Sequence, residues 1–244
     1  MAGASSSQLK TVVFDARDHR GLARFYVALT GGEERYADDE WVTAFTGDGW
    51  RLGFQAAPDH VPPQWPDQGH PQQMHLDFQV ADLSAATAEA ERLGAVRLGG
   101  GDTVTVLADP AGHPFCLCAH EQAEPIRTFA VNIDCPDGAP LSAFYAALLG
   151  YQVKYQQDKM AWIGTGKPAP MGEILFQPVP DYNAPRWPDP EHPQQVHLDI
   201  MVADIEEGER RVLELGATRL PGEGENWRVY ADPDGHPFCL LWTA

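Results

Sequence analysis

The string His-Pro-Gln-Gln-Met-His-Leu-Asp at positions 70–77 returns as His-Pro-Gln-Gln-Val-His-Leu-Asp at 192–199, an offset of 122 in a chain of 244 residues. Only Met74 and Val196 differ. A repeat that halves the chain demands two similar units, each long enough to bury a core of its own. After Pro71 and Pro193 polar and apolar residues alternate, the mark of a half-buried strand. Side chains on a strand alternate between faces, so His75 shares a face with Asp77, and His197 with Asp199. Each half therefore presents a His-x-Asp pair from one sheet face.

The rest of each half fits around that strand. Residues 10–16 read as a strand, and Asp18 starts a helix whose Leu22, Phe25, Tyr26 and Leu29 form an apolar stripe ended by Gly31 and Gly32. Strands are expected near 34–37, 40–46 and 50–55, then a Pro-rich loop through Trp65 into the His-x-Asp strand. Asp82 caps a second helix that stops at Gly94, and three further strands end in Pro-Phe-Cys-Leu-Cys. One half thus reads βαβββ twice. The second half repeats the order: Leu141, Phe144, Tyr145 and Leu148 form its helical stripe, and Asp204 and Gly216 bracket its later helix. The expected organisation is α+β, with four βαβββ modules making two domains, 8–120 and 128–244, joined by a charged linker at 121–127. The opening MAGASSSQ is small and polar and is expected to be disordered.

Net charge is −18, from 17 Lys and Arg against 35 Asp and Glu. That balance excludes nucleic acid, whose phosphates require cationic side chains, and disfavours anionic membrane surfaces. No apolar run approaches the ~20 residues of a spanning helix. Cys116, Cys118, Cys135 and Cys239 lie in strand-like runs without CxxC spacing, which predicts reduced thiols in a cytoplasmic protein.

Several motifs occur together in both halves: Phe-Tyr-x-Ala-Leu at 25–29 and 144–148, Trp-Pro-Asp at 65–67 and 187–189, and His-Leu-Asp at 75–77 and 197–199. Leu-Gly-Ala follows at 93–95 and 215–217, then Ala-Asp-Pro-x-Gly-x-x-Phe-Cys at 108–116 and 231–239. In these the chain resembles the vicinal oxygen chelate superfamily, which holds glyoxalase I, bleomycin-resistance proteins and extradiol dioxygenases. The motifs are most similar to glyoxalase-like domains of actinobacterial type. The resemblance implies curved sheets of mixed strand direction, each around a concave cavity. In metal-using members it implies one divalent ion (Zn, Ni, Mn or Fe) bound by the first and last strands of two modules. Carried over by position, those ligands become Thr11, Gly53, His75 and Cys116 in one half, and Ala130, Leu175, His197 and Cys239 in the other. Neither set keeps the family's carboxylates, so no cofactor is expected. His75, Cys116, His197 and Cys239 remain the metal candidates.

Gln55 and Gln177 lie two residues beyond the expected ligand positions, hence on the same face. Gln55, His75, Asp77 and Cys116 are expected to group at one site, and Gln177, His197, Asp199 and Cys239 at the other. His75 and His197, each with its Asp, stay open as ligands, general bases or hydrogen-bonded core residues. Trp65 and Trp187 are candidate lids or loop anchors, Trp41 and Trp162 candidate cavity or core residues, and His113 and His236 turn residues. The expected function is binding of a small aromatic or apolar molecule, as in bleomycin-resistance proteins; the alternative is a metal-dependent lyase, isomerase or dioxygenase. The expected assembly is a monomer whose two domains imitate a dimer, or a homodimer.

Overall fold

The computed structural model of the protein describes residues 7–67, 69–123, 126–167, 169–189 and 191–243. Most of the opening segment expected to be disordered lies outside the described residues, as do positions 124 and 125 of the expected linker. Gln8 already belongs to a strand, as does Arg127.

The first module is β1 (Gln8–Ala16), α1 (His19–Thr30), β2 (Glu33–Ala37), β3 (Trp41–Phe45) and β4 (Arg51–Ala56). The second is β5 (Met74–Val80), α2 (Leu83–Leu93), β6 (Val96–Gly100), β7 (Val104–Ala108) and β8 (Pro114–Ala119). The third is β9 (Arg127–Cys135), α3 (Gly138–Leu149), β10 (Gln152–Gln157), β11 (Met160–Gly164) and β12 (Glu173–Pro178). The fourth is β13 (Val196–Met201), α4 (Ile205–Glu214), β14 (Thr218–Glu223), β15 (Trp227–Ala231) and β16 (Pro237–Leu241). Asp18, Asp82, Asp137 and Asp204 cap the four helices, each accepting a backbone N–H of the first turn. Gly31 and Gly150 end α1 and α3 at φ of 63° and 71°, a backbone that a side chain would strain.

The modules do not pair within a half. One eight-stranded sheet runs β14-β15-β16-β13-β1-β4-β3-β2, the other β10-β11-β12-β9-β5-β8-β7-β6. Its central pairings, β1 with β13 and β5 with β9, are antiparallel and join the first half to the second. Connection lengths explain why. The seven residues 120–126 join β8 to β9 within one sheet, whereas the seventeen residues 57–73 and the seventeen residues 179–195 carry the chain from sheet to sheet.

The repeated glutamines hold this crossing. Gln73 Nε2 donates to Pro193 O at 3.3 Å, Gln195 Nε2 donates to Pro71 O at 2.9 Å, and Gln195 N donates to Gln73 Oε1 at 3.1 Å. Gln72 Nε2 donates to Asp134 Oδ2 at 2.9 Å, and Gln194 Nε2 to both carboxylate oxygens of Asp15 at 3.0 and 3.1 Å. All four glutamines are buried, where an amide without a partner costs roughly 1–3 kcal/mol.

The aromatic contacts of the core, by contrast, stay within the halves. The Tyr26 ring packs against Phe14 and Phe54 of one sheet and Phe78 and Phe115 of the other. Its hydroxyl donates to Asp109 Oδ2 at 3.0 Å, and Tyr145 does the same to Asp232 at 2.9 Å. Both sheets thus give their apolar faces to a core around the helices. Alternation sends the His-x-Asp pairs to the opposite, helix-free faces.

A fragment of residues 1–122 keeps its share of core but leaves the edges of β1 and β5 unpaired. Sedimentation should find it dimeric or aggregated, since open edges recruit other strands. A stable monomer with fully protected β1 and β5 amides would refute this.

Candidate functional site

Register builds each helix-free face. On the β5/β9 face Asp77 lies beside Cys116 and opposite Ala130, His75 is opposite Asn132, and Gln177 is level with Asp134. On the β1/β13 face Asp199 lies beside Cys239 and opposite Thr11, His197 is opposite Val13, and Gln55 is level with Asp15. The expected groupings of the glutamines are therefore corrected: Gln55 shares a sheet with His197, and Gln177 with His75. The cross-half strand pairing exchanges them.

His75 Nε2 lies 3.3 Å from Asp77 Oδ1, and His197 Nε2 lies 3.6 Å from Asp199 Oδ1. In each trio, His75-Asp77-Cys116 and His197-Asp199-Cys239, the possible ligand atoms lie within 4.8 Å of one another. The His and Asp members are less than a tenth exposed. His75 Nδ1 and Asn132 Oδ1 are buried with no partner among the described residues, so this face retains polar capacity that its own residues do not use.

The two faces differ electrostatically. Burial opposes charge on His75, but hydrogen bonds to Asp77 and Cys116, with their negative charge, outweigh it and raise its pKa. At His197 burial dominates and pushes the pKa down to about 4. Burial raises Asp199 to about 7 against the opposing pull of Arg51 and a Thr11 hydrogen bond. It raises Asp15 to about 7 against the Gln194 bond and the charge of His113. On one face the neighbours of His75 favour its charged form, whereas on the other burial disfavours charge on His197, Asp199 and Asp15 alike. Burial also lifts the Cys239 thiol well above its usual range and Cys118 to about 12, so neither is a ready nucleophile.

Tryptophans fill part of each face. A Cβ on Gly53 would lie 2.6 Å from the Trp41 ring, so the indole lies against the position where metal-using relatives are expected to place a ligand. Trp41 Nε1 donates to Thr43 Oγ1 at 2.8 Å. On the other face Trp162 Nε1 donates to Glu173 Oε2 at 2.6 Å, Lys154 sits 5.1 Å over the ring and pairs with Glu173, and Phe129 meets the ring edge-on. Trp65 packs beside Gly99 on β6 and Trp187 beside Gly222 on β14, which anchors both loops on the outer hairpins. His113 and His236 are core residues, with Nδ1 3.0 Å from Asp109 Oδ2 and Asp232 Oδ2 respectively.

Sequence reasoning missed Asp15, Asp134, Asn132, Gln72 and Gln194. The repeat held a signal for four of them: Gln72 and Gln194 stand in the identical His-Pro-Gln-Gln strings, and Val-Val-Phe-Asp-Ala and Val-Asn-Ile-Asp-Cys place Asp15 and Asp134 identically near the end of β1 and β9.

Four βαβββ modules in two sheets of mixed strand direction, each with a polar helix-free face, define the glyoxalase/bleomycin-resistance class of fold. The glyoxalase-like domain family matches residues 11–118 and again 130–241. The chain belongs to that family, with two such domains in tandem. Glyoxalase I from Zea mays superposes with a TM-score of 0.69 at 19% identity, covering 97% of this chain and 92% of the maize chain. A putative dioxygenase from Bacillus subtilis subsp. subtilis str. 168 gives 0.64 at 10% identity, covering 96% and 84%. These similarities concern the fold. No curated protein sequence matches the chain.

Two measurements check the site. Gly53→Ala should force the Trp41 ring to move and cost about 1–3 kcal/mol in urea unfolding; an unchanged midpoint would mean the indole does not lie there. Asp15 has a folded pKa above its unfolded value of 3.8, so its favourable share is complete below that value and is lost as pH rises through about 7. Asp15→Asn should therefore gain on the order of 2 kcal/mol relative to wild type between pH 5 and 8. A pH-independent difference would refute the buried acid.

Proposed function

We propose that the two helix-free faces bind small organic molecules with a flat apolar part, and that they do so without the family's usual metal centre. The observation that carries this reading is the Trp41 ring over Gly53. An indole there offers a stacking surface where a metal ligand would otherwise stand. The polar remainder suits recognition of heteroatoms: His75 Nδ1 has no partner among the described residues, and Asp15 and Asp199, raised to about 7, can each donate as well as accept. An apolar surface with a few fixed polar groups is the usual make-up of a small-molecule site. The proposed wall on one face is His197, Asp199, Cys239, Gln55 and Trp41. On the other it is His75, Asp77, Cys116, Gln177 and Trp162. Trp65 and Trp187 flank the walls from the outer hairpins.

The four-ligand ion implied by the family does not fit. At its positions one face has Thr11, Gly53, His197 and Cys239, and the other has Ala130, Leu175, His75 and Cys116. Only His and Cys are strong donors in either set. A second reading rests on the His-Asp-Cys trios, whose donor atoms lie within 4.8 Å of one another on a single module. Three protein donors of this kind suit zinc with one position left open, and that reading leads to metal-dependent lyase, isomerase or dioxygenase activity. Unpaired thiols at all four cysteines suit a reducing, cytoplasmic setting. Among the described residues no helix is long and apolar enough to cross a membrane.

Tryptophan quenching with a panel of aromatic acids and phenols should saturate for wild type. Trp41→Ala and Trp162→Ala should each weaken binding several-fold, about 1 kcal/mol for a lost stacking partner. No saturable response across the panel would sink the binding reading. Elemental analysis after dialysis should find well below one ion per face. Near-stoichiometric zinc, lost in His75→Ala and His197→Ala, would establish the metal reading instead.

A further inference from the structure

A groove of about 670 Å³ lies on the outer side of α1, and none of the residues of the two helix-free faces lines it. Its apolar lining includes Ala28 of α1, Leu93 at the end of α2 and Pro62 of the loop between the sheets, above the buried Leu22 and Phe25. Arg17 and Arg24 line it with their exposed side chains. Arg17 Nε donates to His60 O at 3.1 Å, and among the described residues neither guanidinium is paired with a carboxylate. Asp18, the acid in the lining, is engaged as helix cap by the N–H of Gly21 at 2.7 Å. Two cationic forks on one groove stand out in a chain carrying 35 acidic and 17 basic side chains.

The second half serves as an internal control. The repeat places Pro136, Ala143, Tyr182 and Asp234 where the first half has Arg17, Arg24, His60 and Ala111. Both cations are gone and an acid is added. Tyr182 also closes the polar wall, its hydroxyl donating to Asp234 O at 2.9 Å and meeting His236 Nε2 at 3.1 Å. In the first half the His60 ring reaches Ala111 O, at 3.0 Å, and its own Nδ1 and His113 Nε2 are buried with no partner among the described residues. His60 is 3% exposed and lines the groove. Anion-binding chemistry has therefore been placed on one copy of a duplicated surface and not on the other.

We propose that this groove binds a small aromatic anion. Arg17 and Arg24 hold its carboxylate, sulfonate or phosphate, and its ring lies on Ala28, Pro62 and Leu93. Planar guanidinium forks match such oxyanions, and the volume lies within the range of small-molecule sites. The proposal is independent of any ligand on the helix-free faces.

The test uses the full chain and two fluorescent probes of one skeleton, the anion anilinonaphthalene sulfonate and neutral phenylnaphthylamine. The sulfonate should bind saturably and more weakly as salt rises. The double variant Arg17→Gln with Arg24→Gln should lose about tenfold in affinity, as for a charge-assisted hydrogen bond. The neutral probe should bind wild type and variant alike. Amide shifts on adding the sulfonate should appear at α1 and residues 57–63, and those shifts should be lost in the arginine variant whatever happens at the helix-free faces. Equal sulfonate affinity in the arginine variant, equal affinity of the two probes for wild type, or shifts confined to β1, β5, β9 and β13 would each overturn the proposal.

Discussion

Pairing of β1 with β13 and of β5 with β9 is the constraint on which the rest of this protein depends. It joins strands far apart in the chain, so its loop-closure cost must be met by what those strands bury. Core packing supplies most of that, and the buried glutamines decide the alignment. Gln72, Gln73, Gln194 and Gln195 each reach across to the other half. A slip by one residue would leave these amides unsatisfied and turn His75 and His197 into the core. Register and site composition are thus one choice.

That choice gives the molecule two divisions that do not coincide. Its aromatic core divides along the chain, with Tyr26 joining Phe14 to Phe115 in the first half and Tyr145 joining Phe176 to Asp232 in the second. Its sheets, and with them the polar faces, divide across the chain. Neither half can complete a face alone, and neither sheet carries a complete core alone. Such interlocking ties folding of the halves to one another and holds the strands of each face on rigid elements.

Duplication has let the copies diverge where the core permits. The His-x-Asp-and-Cys trio is the same on both faces, yet its electrostatics differ: hydrogen bonds to Asp77 and Cys116 favour the charged form of His75, whereas at His197 burial dominates and disfavours it. The outer surface diverges further, with Arg17 and Arg24 matched by Pro136 and Ala143. These positions contribute little to the core, so their chemistry could change without cost to the fold.

Sequence by itself determined the local structure. The helix starts at Asp18, Asp82 and Asp204, the helical stripes, the order of strands and the one-face placement of His75 with Asp77 all follow from short-range periodicity and repetition. Tertiary structure alone decided which strands meet. Period two fixes the face of a side chain but carries no information about which strand lies alongside, because edge strands offer the same hydrogen bonds to any partner. Hence Gln55 fell to His197 and not to His75, and Asp15 and Asp134 entered the faces unannounced. It also decided their electrostatics, since the same His-x-Asp sequence holds His75 3.3 Å from Asp77 but His197 3.6 Å from Asp199, and hydrogen bonds favour the charged form of the first while burial disfavours it at the second.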